Sequence, residues 1–277
     1  MAEHRIPDDP AAAAEARYGG APAPGVREDA NGVVPLLLRH HSVRHFSDEP
    51  IDDTTVDTLI AAAQSASTSS NLQVWSVVVL RDPERKDQAA ALAGDQDFIR
   101  QAPLFLVFVA DWSRGRTLAR EAGREPEALD YLESTMVGAI DAAIAAQNTV
   151  VAAQALGYGT VYVGAVRNRA AQMADFLGLP EGSFPVAGLA IGTAHPDESA
   201  AVKPRLPQRI VRHDETYRPA VADELTRYDE ALRAHNSRHG RSRGWQDGVV
   251  TRVTDTAALH GREQLRQTLA DRGLPSH

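Results

Sequence analysis

One long apolar segment constrains this chain more than any other feature. From Leu129 to Leu156 the pattern is helical, with Ala, Ile, Val and Met on every side of its middle, and Gly157 supplies the stop. A helix that is apolar all round belongs in the centre of a fold or in a subunit interface. The uncharged stretch from Ala142 to Val166 reaches membrane length. However, Gln147, Asn148, Thr149 and Gln154 interrupt it, and Gly157 and Gly159 divide it. It therefore reads as a buried helix followed by a strand, with no membrane span.

The other elements are arranged around that helix. A first helix is expected over Val34 to His41. Asp52 is a helix N-cap, with Ile51 before it and Val56 at the spacing of a hydrophobic staple. Val56, Leu59, Ile60 and Ala63 then form an apolar stripe. Val74–Leu80, Leu104–Ala110, Thr160–Val166 and Val186–Thr193 read as buried strands, and Glu84–Ala93 and Ala170–Leu177 as helices. Glu224–Arg233 reads as an exposed helix, Ser237–Gly244 as an Arg/Ser/Gly loop, and a last helix follows. Many helices with a few spaced strands make the class α+β, although pattern alone leaves a doubly wound α/β sheet open. Residues 1–32, rich in Ala, Pro, Gly and charge, read as a disordered arm without a signal-peptide core. Residues 33–277 read as a single domain.

Composition removes several functions. A net charge of -8 argues against a general nucleic-acid binder. With no cysteine, disulfides, thiolate metal sites, iron–sulfur clusters and a cysteine nucleophile are excluded, and a reducing cytoplasm is the fitting location. There is no Gly-x-Gly-x-x-Gly after a strand, no P-loop, no His-Glu-x-x-His and no Gly-x-Ser-x-Gly. His41 and His45 have a metal-ligand spacing but no third ligand at a telling distance, so no metal site is expected.

Four polar or basic clusters remain at the edges of apolar elements. They are His40-His41-Ser42-Val43-Arg44, Ser67 to Gln73, Gly164-Ala165-Val166-Arg167-Asn168, and Lys203-Pro204-Arg205-Leu206-Pro207. Fixed cations such as Arg44, Lys203 and Arg205, with small residues in the Ser67–Gln73 and Gly164–Asn168 clusters, would suit a flat molecule with an anionic tail.

Together these clusters resemble the NADPH-dependent nitroreductase and flavin reductase branch of the nitroreductase family. The segment His40 to Phe46, followed by Asp48-Glu49-Pro50-Ile51, is similar to the family's opening His-Arg-Ser-x-Arg-x-Phe. Ser69-Ser70-Asn71-Leu72-Gln73 resembles its serine-rich segment, and Ala146-Gln147-Asn148 part of its central helix. Tyr162 to Asn168 resembles its Gly-Gly-Leu-Arg-Asn strand end, and Gly188-Leu189 to Gly192 with Lys203 to Pro207 complete the set. The resemblance implies an antiparallel-dominated sheet flanked by helices and an intertwined homodimer. The Leu129–Leu156 helix would lie at the interface, a C-terminal extension would wrap the partner, and FMN would be bound between the chains.

The resemblance also implies residue roles. His40, His41, Ser42, Arg44, Ser69, Asn71, Gln73 and Gln96 match FMN-binding positions. Tyr162, Val163, Gly164 and Ala165 match the backbone lying against the isoalloxazine. Lys203 and Arg205 match the phosphate- and ring-facing cations, one of which would stabilise negative charge on the flavin. Arg241 or Arg243, before Trp245, falls where the family binds the 2′-phosphate of NADPH. The implied activity is ping-pong transfer of electron pairs from NADPH to nitro compounds, quinones or free flavins, with the cofactor carrying the hard chemistry. A flavin reductase feeding a partner monooxygenase and a non-catalytic flavin-binding protein are the alternatives. The chain departs from the family pattern at three positions. His41 replaces a usual arginine, Ala165 a second glycine, and Asn71 an apolar or aromatic residue.

Overall fold

The computed structural model describes residues 9–19 and 32–277. Its helices are α1 (Pro10–Arg17), α2 (Val33–Leu38), α3 (Asp53–Gln64), α4 (Pro83–Leu92), α5 (Asp97–Gln101), α6 (Ser113–Glu121), α7 (Leu132–Ala155), α8 (Ala170–Phe176), α9 (Gln208–Val211), α10 (Ala222–Arg238), α11 (Trp245–Thr254) and α12 (Leu265–Asp271). The strands are β1 (Trp75–Leu80), β2 (Leu104–Asp111), β3 (Gly159–Val163) and β4 (Ser183–Gly192). These elements divide into two compact units. One holds residues 43–198 and 259–277, and the other holds the described part of residues 1–42 with residues 199–258.

In the first unit the strands form one sheet of order β1-β2-β4-β3, and every pairing is antiparallel. That excludes the doubly wound alternative, which needs parallel strands and crossover helices. Strand β2 is buried along its whole length. Its side chains alternate between two cores with the period of two that a pleated strand requires. Leu104, Leu106, Phe108 and Ala110 join Val56, Leu59 and Ala63 of α3 and Ala142, Ala145, Ala146, Val150 and Ala153 of α7. Phe105, Val107 and Val109 join Ala89 and Ala90 of α4, Ile99 of α5 and Met173 of α8. The sheet is thus a middle layer with helices on both faces.

Helix α7 fulfils the expectation that opened the sequence reading. It is long and apolar enough to cross a membrane, yet its alanine-rich side is buried against the sheet and α3. Its other side exposes Leu132, Met136, Ile140 and Ile144, spaced four apart. The start of α3 is also as read: Asp52 accepts from the Thr55 N–H at 2.6 Å, while Ile51 and Val56 are both buried.

Several boundaries differ from the sequence reading. Part of the stretch read as a disordered arm is helix α1, with Ala14 and Arg17 buried. Asp9 caps it, proline stands in its first turn and alanines fill it, so its local sequence suits a helix after all. Residues 1–8 and 20–31 lie outside the described residues. The third strand ends at Val163, three residues early, because Gly164–Arg167 tightens into a 3₁₀ turn. Helix α10 runs to Arg238, into the segment read as a loop.

Candidate active site

The Gly164–Arg167 turn leads from β3, at the edge of the sheet, toward α8. Its Asn168 N–H donates to Ala165 O at 2.9 Å. Arg167 donates to Val186 O, which ties the turn to β4. Burial, and then Arg262, hold the Arg167 pKa below its ordinary value, although a guanidinium remains a cation at neutral pH. Facing this turn is Gly94, where a Cβ would stand 3.3 Å from Asn168 Nδ2, 3.6 Å from Gln96 Nε2 and 3.8 Å from Ala165 Cβ. Gln96 donates to Gly94 O at 2.9 Å. The fold therefore gathers Gln96 and Ala165, which are 69 positions apart in the chain, around one point.

A cavity of about 510 Å³ opens there, lined in part by Gly94, Arg167, Asn168, Arg169, His260 and Thr268. Its charged lining residues are cationic, and among the described residues no carboxylate lines it. Asn168 Oδ1 is buried beside it without a donor among the described residues. Reading the sequence missed His260 and Thr268. They follow α11 in the chain, and no local pattern marks them as neighbours of the Gly164–Arg167 turn.

A second part of the same unit carries Ser69, Asn71 and Gln73, all exposed on a turn before β1. Ser70, Asn71 and Gln73 have φ of 48°, 56° and 53°, the left-handed region that non-glycine residues seldom occupy. The turn is held from two sides. Asp141 Oδ1, on α7, accepts from the Ser69 N–H at 3.0 Å, and Arg114 donates to Gln73 O at 2.8 Å. Tyr162 is partly exposed on β3, with its hydroxyl 3.4 Å from Gln147 Oε1, and Val163 is buried. Arg44 is exposed, and its N–H donates to Glu198 at 2.6 Å. His45 stacks on His195 with ring centres 4.0 Å apart. No group of three potential metal ligands occurs among the described residues.

The remaining sequence-read residues lie in the second unit. His41 Nδ1 is 3.0 Å from Arg39 O, and Ser42 is half-buried. Arg17 joins the His40 and Lys203 segments, as its guanidinium donates to the carbonyls of both. Arg205 is exposed. Arg241 and Arg243 are exposed between α10 and α11, where Asn236 accepts from the Arg241 N–H at 2.9 Å and donates to Arg243 O at 2.7 Å. Trp245 packs edge-on against Tyr228.

His235 of α10 is buried in this unit, with its ring centre 4.8 Å from that of His239. Burial, then the charges of His239, Arg238, Lys203 and Arg241, push its pKa from 6.5 down to about 4. Between those values the unfolded chain takes up a proton that the folded protein refuses. The stabilisation is therefore complete above pH 6.5 and is lost as pH falls toward 4. It amounts to at most about 3 kcal/mol. Melting temperatures measured between pH 4 and 7 should fall on the acid side, and His235→Gln should flatten that slope. An unchanged slope in the variant would reject this origin.

The fold and these clusters define an α+β protein with a four-stranded antiparallel sheet between helices and a cationic cavity beside a small-residue turn. Residues 37–193 match the Nitroreductase family, and residues 203–277 match the Nitroreductase family, C-terminal domain. The chain belongs to the nitroreductase family. It is 39% identical to FMN reductase [NAD(P)H] of Bacillus subtilis over 86% of this chain and 97% of that one. It is 40% identical to NADPH-flavin oxidoreductase of Vibrio harveyi over 74% of this chain and 82% of that one. The structure of B. megaterium NfrA2 superposes with a TM-score of 0.84 at 35% identity, covering 90% of this chain and all of that one, a coverage of 100%.

Proposed function

We propose that this protein is an FMN-dependent oxidoreductase that takes electron pairs from NADPH and delivers them to nitro compounds, quinones or free flavins. The observation that carries the reading is the cationic cavity opening beside Gln96, Ala165 and the Gly164–Arg167 turn. The residues present fit the cofactor. The buried acceptor Asn168 Oδ1 calls for a ligand donor, and Gly164 and Ala165 leave the backbone of the turn open to a flat ring. His40, His41, Ser42, Arg44, Lys203 and Arg205 would hold the phosphate and the charged edge of the ring. Ser69, Asn71, Gln73 and Gln96 would supply further polar contacts, and Tyr162, Val163, Gly164 and Ala165 the backbone wall.

When bound, FMN supplies the two-electron chemistry. The chain binds and orients, and Lys203 or Arg205 places positive charge where negative charge develops. The cavity cations favour anionic donors and acceptors, and Arg241 and Arg243 are the residues for the NADPH 2′-phosphate. The ridge Leu132, Met136, Ile140 and Ile144 supports a homodimer, since a second copy would cover it. The absence of cysteine fits a cytoplasmic location.

The test is spectroscopic. Purified protein should be yellow or become so with added FMN. Without oxygen, NADPH should bleach it faster than NADH, and nitroaromatic or free FMN should restore the colour. A protein that takes up no FMN overturns the reading. One that holds FMN but is bleached by neither nucleotide is a flavin carrier instead.

A further inference from the structure

Helix α1 precedes both matched regions, the earlier of which begins at residue 37. Its last residue, Arg17, is 8% exposed. Among the described residues its hydrogen-bond partners are backbone groups from two distant segments. Nη1 donates to Lys203 O at 3.0 Å. Nη2 donates to Leu38 O at 3.1 Å and to His40 O. The Arg17 carbonyl in turn accepts from the Arg205 N–H at 2.8 Å. The neighbouring residues extend this attachment. Tyr18 Oη accepts from Gln208 at 3.1 Å, and a Cβ on Gly19 would stand 3.2 Å from Ala231 Cβ.

The two segments joined in this way carry the cations and donors assigned above to the FMN phosphate. A buried guanidinium is expensive to desolvate, and the three carbonyl oxygens offset that cost. Its planar fork reaches three carbonyls at once, which a single ammonium matches poorly. Because a trans peptide is planar, turning the His40 carbonyl toward Arg17 sends the His41 N–H the opposite way. Burial also lowers the Arg17 pKa to about 10, which leaves it charged at neutral pH.

We propose that Arg17 is a positioning residue for the phosphate end of the flavin site. Helix α1 clasps the His40–Ser42 and Lys203–Arg205 segments in their binding arrangement. The inference rests on the FMN reading and adds a role for a part of the chain outside both matched regions.

The test compares FMN with riboflavin, which lacks the phosphate. Full-length apoprotein is titrated with each flavin and followed by flavin fluorescence, for the wild type, Arg17→Ala and Arg17→Lys. Wild type should prefer FMN. Arg17→Ala should weaken FMN by about tenfold or more while riboflavin moves less than about twofold, and Arg17→Lys should lie between. If Arg17→Ala melts below the assay temperature, Arg17→Lys carries the test with the same selective loss. Equal weakening of both flavins would mean general packing and would overturn the proposal, as would no change in either. A wild type that binds neither flavin refutes the FMN reading itself, a separate failure.

Discussion

Gly188→Val is expected to prevent stable folding at 37 °C, and Gly188→Ala to lower the melting temperature clearly. Gly188 lies in β4, paired with Val107 on one side and Val163 on the other. A Cβ there would stand 2.6 Å from Phe105 Cζ and 2.9 Å from both Phe105 Cε2 and Val166 Cγ1. Phe105 and Val166 are each 0% exposed, so neither can swing into solvent to make room. Overpacking of this kind costs about 1–3 kcal/mol for one methyl group, and a branched side chain costs more. At this chain length each kcal/mol lowers the melting temperature by roughly 2–4 °C. Val166 belongs to the Gly164–Arg167 turn, so the clash should also weaken flavin uptake. Gly248 is the control: nothing lies within 4 Å of its would-be Cβ, and it sits inside α11. Gly248→Ala should leave stability unchanged or raise it. A Gly188→Ala protein melting within a degree of wild type would show that the sheet yields where it is described as closed.

Local rules carried the sequence reading through the core. The all-round apolar helix, the four strands and the Asp52 cap are short-range patterns, and each element overlaps the segment the pattern marked, although β1 is only half-buried and β3 ends three residues early. The antiparallel pairing was beyond those rules, because strand order is decided by which faces meet. The Leu104–Ala110 run is equally compatible with a parallel sheet. Failures came where local and distant signals disagree. Helix α1 has a capping aspartate, a proline in its first turn and a run of alanines, but its flanks are rich in Gly and Pro and the composition dominated the reading. Nothing near Arg17 in sequence indicates that it is buried among carbonyls of residues 38, 40 and 203.

The candidate site divides in the same way. Clusters with several chemistry-bearing residues in a row could be picked out, and Gln96 came only through the resemblance. Its proximity to Ala165, through Gly94, is a tertiary fact. So is the lining by His260 and Thr268, single residues on an otherwise unremarkable stretch. The strained turn at Ser70–Gln73 had a compositional trace in its run of serines, though serines also cap and turn chains without further purpose. What distinguishes this turn is the support brought to it by α7 and α6.

That support leads to the second large effect: Asp111→Ala should cost about 1–3 kcal/mol, the penalty of leaving its donors unsatisfied. Asp111 ends β2 and is 7% exposed. Its Oδ1 accepts from the Ser113 N–H at 3.0 Å and the Ser113 hydroxyl at 2.5 Å. Its Oδ2 accepts from the Ser76 hydroxyl at 2.5 Å and Arg114 at 2.9 Å. Burial raises the carboxyl pKa, but the bonds from Ser113 and Ser76 and the Arg114 charge outweigh it, and the group sits below its ordinary value. A depressed carboxylate stabilises the fold fully above the unfolded pKa of 3.8, and the contribution disappears as pH falls through the folded value. Removing the carboxylate leaves three donors without an acceptor and takes from Arg114 its ion pair, so that the guanidinium holding Gln73 O and Trp75 O at 2.8 Å each is steadied, among the described residues, only by Ser76 Oγ at 2.9 Å. The Ser70–Gln73 backbone, strained at φ near 50°, would then have one of its two supports weakened and relax. Urea unfolding at pH 7 should show the stability loss, and flavin titration a weakened complex. On acidification toward pH 3 the wild type should lose stability more steeply than the variant. An Asp111→Ala protein within about 1 kcal/mol of wild type, with flavin affinity intact, would mean that the Ser70–Gln73 turn is held without the Asp111–Arg114 pair.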